Sequence, residues 1–169
     1  MFFTELSHGI CLTILVAVIG LAAKLVATKL DLKGPREQAD LLDELTGRLL
    51  VRKSLAMTFA GIYGWNLLVS AVLVFSGIIS QGILPFAWTF LNFGLFSPDL
   101  NFFKNHIHLW LEGTATVLSA ALGFWGGNHL NKIINGAGTP SLLAGLLIIV
   151  LYGAASAIET HEIGRLRKL

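Results

Sequence analysis

The sequence predicts an all-α fold, a polytopic bundle of about five transmembrane helices with one amphipathic surface helix. Hydrophobic residues make up 54% of the chain and charged residues only 13%, with a mean hydropathy of +0.73. A soluble domain averages about 25% charged residues. Apolar stretches of about 20 residues, long enough to cross the hydrocarbon core, alternate with short polar segments. We therefore expect a single transmembrane domain over residues 1–169.

The first predicted span covers residues 8–27, where Lys24 lies close enough to the end for its ammonium group to reach the interface. Met1–Ser7 contains no Lys or Arg, so we expect the apolar segment to be retained rather than cleaved as a signal peptide. In the following segment, 29–53, acidic residues precede basic ones and the leucines between Leu41 and Leu49 lie on one stripe. This pattern predicts an amphipathic cytoplasmic helix on the membrane surface or against a partner; a solvated arm packed on the bundle is the alternative.

The remaining predicted spans cover residues 54–76, 78–97, 106–127 and 141–158. The span 78–97 is ambiguous, because Pro85 and two glycines interrupt it, and a re-entrant hairpin is the alternative to a kinked crossing. If it crosses, ten of the twelve Lys and Arg residues lie on one side of the membrane and only Lys132 on the other. The positive-inside rule predicts such a split. We therefore expect a multi-pass protein of the cell membrane with its N-terminus outside and its C-terminus in the cytoplasm.

His108 and Glu112 open the span 106–127 four residues apart, so a helix places them on the same face. A carboxylate in hydrocarbon costs about 2.5–3.5 kcal/mol on insertion scales, and it is tolerated where it has a partner or a wet cavity. Asn66 and Asn92 lie inside other predicted spans, where an unpaired amide is also costly. We predict that these four residues form an intramembrane polar cluster.

Three interpretations of this cluster remain open. It stabilises helix packing through hydrogen bonds of about 0.6–2 kcal/mol each, it handles protons or a substrate, or it supplies ligands to a metal. A metal would need a third ligand from Asn66, Asn92 or His106, and we predict no metal and no cofactor. No hydrolase or phosphate-binding motif occurs, so we expect no catalytic residue and no enzyme activity.

Other features of the sequence narrow the partners. The net charge is only +2, without a basic run interleaved with aromatic residues, so nucleic acid is not an expected partner. The single cysteine, Cys11, excludes an internal disulfide. Two small-residue motifs, Ala60-x-x-x-Gly64 and Gly123-x-x-x-Gly127, leave room for close helix packing.

The aromatic and acidic residues near the predicted span ends need no ligand to explain them. Glu159 and Glu162 follow the last span, and we expect both to be solvated. Interfacial anchoring is the expected role of the four tryptophans, Trp65, Trp88, Trp110 and Trp125.

The order of the polar residues resembles the stage II sporulation protein M family. The residues that carry the resemblance are Asn66, Phe75-Ser-Gly-Ile78, Asn92-Phe-Gly94, His108-x-x-x-Glu112 and Gly123. Leu109 stands where the family has Gly in its His-Gly-x-x-Glu element. Over residues 54–127, the resemblance implies a multi-span integral membrane protein that is not an enzyme. In spore formers such a member is similar to a scaffold that holds cell-wall hydrolases at the septal membrane.

Two functions follow as expectations. The first is a non-catalytic subunit or scaffold of a larger membrane complex, whose partners are the lipid bilayer and other membrane subunits or a second copy. The alternative is a small transporter or transporter subunit that uses the His108/Glu112 pair, with the interrupted segment 78–97 lining a cavity. An intramembrane metalloenzyme is a third possibility that would require the missing ligand.

Overall fold

The computed structural model describes residues 2–29, 54–93, 106–129 and 139–166. These residues form five α-helices and no β-strand: α1 Phe2–Lys29, α2 Leu55–Ser80, α3 Ile83–Leu91, α4 Ile107–Asn128 and α5 Thr139–Leu166. The predicted all-α helix bundle is therefore confirmed. Apart from Lys29, the predicted amphipathic segment 29–53 lies outside the described residues.

Three of the described helices are long and apolar enough to cross a membrane: α1 over Phe3–Val26, α2 over Leu55–Ser80 and α5 over Ser141–Arg165. Helix α4, which contains most of the predicted span 106–127, is not among them. It lies at the centre of the bundle and packs against each of the other four helices. Because much of its surface faces protein rather than lipid, α4 accommodates the polar and small residues that lower its hydropathy.

The surface and the interior of the bundle have the polarity expected of a membrane protein. Large apolar side chains are exposed on the long outer helices, among them Val18 (54%), Val72 (58%) and Val150 (63%). Apart from Pro85, the largest fully buried side chains carry hydroxyl groups: Thr13, Thr58, Thr89, Ser119 and Ser156. A water-soluble protein buries its large aliphatic side chains, so exposed aliphatic and buried hydroxyl side chains are the pattern expected of helices in hydrocarbon.

Contacts between helices fix their directions. The contacts that do so are Asn66 with Glu112, Gly77 with Gly123, Glu5 with His129, and His108 with Glu162. Helix α2 therefore runs parallel to α4, and α1 and α5 run antiparallel to it. We refer to the two ends of the bundle as the His108 end and the Glu5 end. Helix α1 begins at the Glu5 end, and α5 finishes at the His108 end.

The chain turns sharply after α2, inside the predicted span 78–97. Gln81 (φ 52°) and Gly82 (φ 91°) both have left-handed backbone conformations. Ser80 Oγ accepts a hydrogen bond from the Leu84 N–H at 3.0 Å and so caps the start of α3. The predicted span is therefore not one helix: its first residues complete α2, and the nine-residue α3 follows the turn. At about 1.5 Å per residue, α3 covers less than half of a hydrocarbon core of about 30 Å.

Helix α3 leads back along α4 toward the His108 end. The ring centroids of Phe86 and Phe124 are 5.3 Å apart, and Phe93 lies 3.7 Å from the position that a Cβ would take on Gly113. Since α4 begins at the His108 end, the chain between the start of α3 and the start of α4 joins opposite ends of the bundle. Residues 94–97 of the predicted span lie outside the described residues.

Helices α2 and α4 cross where glycines let their backbones touch. A Cβ on Gly77 would come within 2.6 Å of the backbone of Gly123, and a Cβ on Gly123 would lie 2.8 Å from the Leu73 carbonyl oxygen. One turn further, a Cβ on Gly127 would lie 2.6 Å from the Gly77 carbonyl oxygen. The structure thus places the predicted packing residues Gly123 and Gly127 against Gly77 of the same chain. We refer to these three residues as the glycine crossing.

Replacing Gly77 or Gly123 by alanine should force α2 and α4 apart and lower the free energy of unfolding by about 1–3 kcal/mol, the usual cost of overpacking. Thermal unfolding of the purified protein in mild detergent measures this loss. Gly145→Ala is the matched control, because a Cβ there would meet nothing within 4 Å, and we expect it to unfold at or above the wild-type temperature. Equal unfolding temperatures for Gly77→Ala and Gly145→Ala would contradict the close backbone approach.

Candidate functional site

Glu112 lies half-buried on α4 and accepts a hydrogen bond from Asn66 of α2. Asn66 Nδ2 is 2.6 Å from Glu112 Oε1, a short distance for an amide–carboxyl hydrogen bond. The pair sits between the two helices, in the half of the bundle nearer the His108 end. Glu112 thus has the kind of partner that the cost of a carboxyl group at membrane depth requires.

His108 is buried, with 6% of its surface exposed, and its contact is Glu162 of α5 rather than Glu112. His108 Nδ1 lies 3.2 Å from Glu162 Oε2, close enough for an ion pair when the imidazole is protonated. Helix α5 continues to Leu166, well past the predicted span 141–158, and so carries Glu162 onto α4. The shared helical face of His108 and Glu112 therefore serves two different neighbouring helices.

Glu159 corrects the expectation that both acidic residues after the last span are solvated. It is half-buried and interacts electrostatically with Glu112 and Glu162. The side chain of Glu162 is 36% exposed at the His108 end. Helical spacing could have revealed this, because the polar residues of α5 share one face: Tyr152, Ser156, Glu159 and Thr160.

Hydroxyl groups continue the polar contacts toward the middle of the bundle. Ser70 of α2 and Ser119 of α4 share a hydrogen bond of 2.7 Å between their Oγ atoms. Thr116 of α4 and Tyr152 of α5 share another, with 3.1 Å between the two oxygens. These bonds connect α4 to α2 and α5 through side chains that no sequence pattern singles out.

Ser156 and Thr160 differ from these hydroxyl groups because they have no hydrogen-bond partner among the described residues. Ser156 is 0% exposed and Thr160 8%. A buried hydroxyl group without a partner costs about 1–3 kcal/mol, so each such oxygen marks a position where a further polar group or a water molecule fits.

We refer to the whole set as the polar seam. Its members line the contact of α4 with α2 and α5: Asn66, Ser70, His108, Glu112, Thr116, Ser119, Tyr152, Ser156, Glu159, Thr160 and Glu162. Carboxyl, imidazole and hydroxyl groups all exchange protons with water, so the seam has the chemistry to hold and pass protons.

Asn92, the remaining member of the predicted cluster, does not join the seam. It lies half-buried at the C-terminal end of α3. Among the described residues, no hydrogen bond links it to Asn66, His108 or Glu112. The prediction of a four-residue cluster therefore holds for the parts on α2 and α4, with Glu162 and Glu159 as the additional members.

A second polar cluster, which the sequence did not reveal, lies at the Glu5 end. Glu5 Oε2 is 3.2 Å from Trp125 Nε1 and 3.3 Å from His129 Nε2. The His129 ring stacks on Trp125 with 5.6 Å between centroids. Trp125 is only 3% exposed, so its predicted role as an interfacial anchor is wrong, whereas Trp65 and Trp88 are 47% and 42% exposed. No local spacing joins residues 120 positions apart, as Glu5 and Trp125 are.

The first predicted small-residue motif has no neighbour in the described bundle. Ala60 and Gly64 are both exposed on α2, and a Cβ on Gly64 would meet nothing within 4 Å. Among the described residues the motif therefore packs against no other helix, in contrast to the glycine crossing.

The described residues contain no cluster of side chains that could form a metal site. No group of three or more His, Cys, Asp or Glu side chains there lies close enough to hold a metal ion. Cys11 is exposed on α1.

The fold and the polar seam together define a helical membrane protein with a polar interior. No protein-family model matches the chain, and no curated protein and no solved structure matches it either. The resemblance to the stage II sporulation protein M family therefore stays a prediction.

A double-mutant cycle tests the contact between Asn66 and Glu112. Asn66→Leu leaves the Glu112 carboxyl group without its amide partner. The double variant Asn66→Leu/Glu112→Leu should therefore lose less free energy of unfolding than the sum of the losses in the two single variants. We expect a coupling energy of about 0.6–2 kcal/mol from reversible unfolding in detergent. Asn128→Leu is the control, because Asn128 Nδ2 bonds the Phe124 carbonyl oxygen of its own helix; its effect should add to that of Glu112→Leu. Additive losses at Asn66 would show that the bond contributes nothing.

Proposed function

We propose that this chain is a non-catalytic integral membrane subunit, a scaffold that holds other membrane proteins through helix contacts. The observation that carries the proposal is the outer face of α2, where Ala60, Gly64 and Ala71 are exposed on a helix apolar enough to cross a membrane. Small residues on a helix surface favour association in a bilayer, because they let two backbones approach closely. The glycine crossing shows the same helix making such a contact on its inner face.

The composition and the family resemblance support the same role. Only 13% of the residues are charged, and the described residues contain no domain beside the helix bundle. A protein with so little mass outside the membrane acts most readily by binding other proteins within it. The resemblance to the stage II sporulation protein M family implies a scaffold as well.

We further propose that the His108 end faces the cytoplasm. The segment between α1 and α2, with its cluster of basic residues, is connected to the bundle at this end, and so is the tail from Arg165 onward. Lys132 belongs instead to the connection between α4 and α5 at the Glu5 end. By the positive-inside rule, the N-terminus then lies outside and the C-terminus in the cytoplasm, with about five crossings when the chain between α2 and α4 is included.

Substitution of Gly64 tests the docking face. Gly64→Leu covers the exposed backbone, so it should release the partner helix and leave the thermal stability of the bundle unchanged. Native mass spectrometry of the protein extracted from its own membranes in mild detergent measures the assembly. Gly145→Leu on α5 is the matched control, since it adds the same side chain where a Cβ meets nothing within 4 Å. A wild-type chain that purifies as a monomer with no other protein bound would overturn the subunit role.

The polar seam favours a second candidate function, a small transporter. Carboxyl groups of α4 and α5 and unpartnered hydroxyl groups occur together beside Glu112, as expected of a site that holds an ion. The interrupted segment 78–97 was expected to line a cavity in such a transporter. Pro85 of α3 is instead buried against Gly77, outside the seam.

Flux through proteoliposomes decides whether Glu112 takes part in transport. Glu112→Gln keeps an oxygen that can accept the Asn66 hydrogen bond but removes the exchangeable carboxyl proton, so proton-coupled flux should fall to the level of empty vesicles. Glu5→Gln, at the other end of the bundle, is the control and should retain flux. Unchanged flux in Glu112→Gln would remove this residue from any proton-coupled mechanism.

A further inference from the structure

The carboxyl groups of the polar seam outnumber the cationic groups beside them. Glu159 lies within electrostatic range of both Glu112 and Glu162, and one imidazole, that of His108, contacts Glu162. Like charges repel strongly where water is excluded. Among the described residues, the seam therefore carries more acidic than basic groups.

Other titratable side chains are described near the seam. Arg165 and His161 follow on α5, but both are exposed at the His108 end. His106 sits edge-on to the His108 ring at 5.6 Å. On α2, the Tyr63 hydroxyl group donates a hydrogen bond of 3.5 Å to the Ile149 carbonyl oxygen of α5. A cation or a proton from outside the protein would correct the imbalance.

Ser156 and Thr160 provide an independent sign that something else belongs in the seam. Both are more than nine-tenths buried, and neither hydroxyl oxygen has a partner among the described residues. They share one face of α5 with Glu159, three residues from Ser156 and adjacent to Thr160. Two unpartnered hydroxyl groups next to a carboxyl group offer the several hydrogen-bonding partners that a buried water molecule needs.

The seam is open at one end and closed at the other. Exposure falls from Glu162, whose side chain is 36% exposed, to Ala115, Ala120 and Ala155, which are 0% exposed. From His108 to Ser119 the polar residues extend about 16.5 Å along α4, about half of the hydrocarbon core. Beyond them the glycine crossing leaves no space between the backbones of α2 and α4.

We infer that the polar seam is a proton-binding site that exchanges with water at the His108 end and ends near the middle of the membrane. A proton arriving from water forms an O–H bond with a carboxylate oxygen of Glu112 or Glu159, and the same bond breaks when the proton returns. Carboxyl and imidazole groups bind and release protons directly, so the proton is the ion that the chemistry of the seam favours. The inference rests on the second candidate function in one respect, because it names the proton as the ion of that transporter. A proton-binding site exists whether or not the protein transports protons.

Labelling with dicyclohexylcarbodiimide tests the site on the full chain in lipid vesicles. This apolar reagent reacts with protonated carboxyl groups: the acid O–H proton moves to a carbodiimide nitrogen, the carboxyl oxygen bonds the central carbon, and the adduct rearranges to a stable N-acylurea. Peptide mass spectrometry then identifies the labelled residue. We expect an adduct on Glu112 or Glu159 that disappears as the buffer is made more alkaline.

Matched variants locate the label. Glu112→Gln or Glu159→Gln should remove the adduct at the changed position, whereas Glu5→Gln should leave the labelling of the seam unchanged. The pH dependence of the wild-type protein is informative even if a variant fails to fold. No adduct in the seam at any pH overturns the inference. Protection by sodium ions at constant pH also overturns it, because the site would then bind a metal cation.

Together, the labelling and flux experiments distinguish the proton-binding site from the proposed transporter. Labelling of the seam without proton flux keeps the proton-binding site and removes the transporter. Flux without labelling of the seam removes the site and leaves transport to another path.

Discussion

The contact of α2 with α4 at the glycine crossing sets the register of the polar interior. Gly77 and Gly123 are the same 46 positions apart as Asn66 and Glu112. Since the two helices run parallel, the backbone contact and the amide–carboxyl hydrogen bond belong to one register. A slip of one residue would shift α2 by about 1.5 Å and rotate its side chains by about 100°. Larger residues at the crossing would therefore disturb the buried acid as well as the packing.

The central position of α4 explains why the interior is polar. In a bilayer, apolar side chains gain little by leaving lipid, so small residues and interhelical hydrogen bonds hold helices together instead. Helix α4 makes such bonds to α2 through Ser119 and to α5 through Thr116. Its outer neighbours face lipid and keep the apolar composition that identifies a span. Helix α4 is not among the helices apolar enough to cross a membrane, and it is the helix that the others enclose.

A contact could be predicted from the sequence where burying a single polar residue in hydrocarbon is too costly without a partner. Glu112 needed a partner, and Asn66 of another predicted span supplies it. Sequence reasoning failed for Glu159 and Glu162, because the apolar run ends before they begin while the helix continues. A break inside the predicted span 78–97 was expected, but its position was not, because Gln81 takes a left-handed conformation without being glycine. In each case the deciding contact or bend depends on where distant helices meet.

Pairs distant in sequence are the extreme case of this limit. Glu5 meets Trp125 and His129 only because α1 and α4 are antiparallel and aligned at their ends. None of these three residues carries a local pattern that distinguishes it from an ordinary interfacial side chain. Composition and periodicity therefore predict which helices form, whereas the pairing of polar groups follows from helix direction and register.

The glycine crossing also bears on the choice between the two proposed functions. Carrying an ion across the membrane would require a path from the polar seam to the Glu5 end, and on the α2 side the touching backbones of Gly77 and Gly123 stand in that path. Opening it means separating α2 from α4, which would break the Asn66–Glu112 bond in the same movement. A scaffold needs no such movement, because the small residues proposed as its docking face are exposed on the outside of α2. The closed crossing therefore favours the subunit, and a proton site reached from one side only is compatible with it.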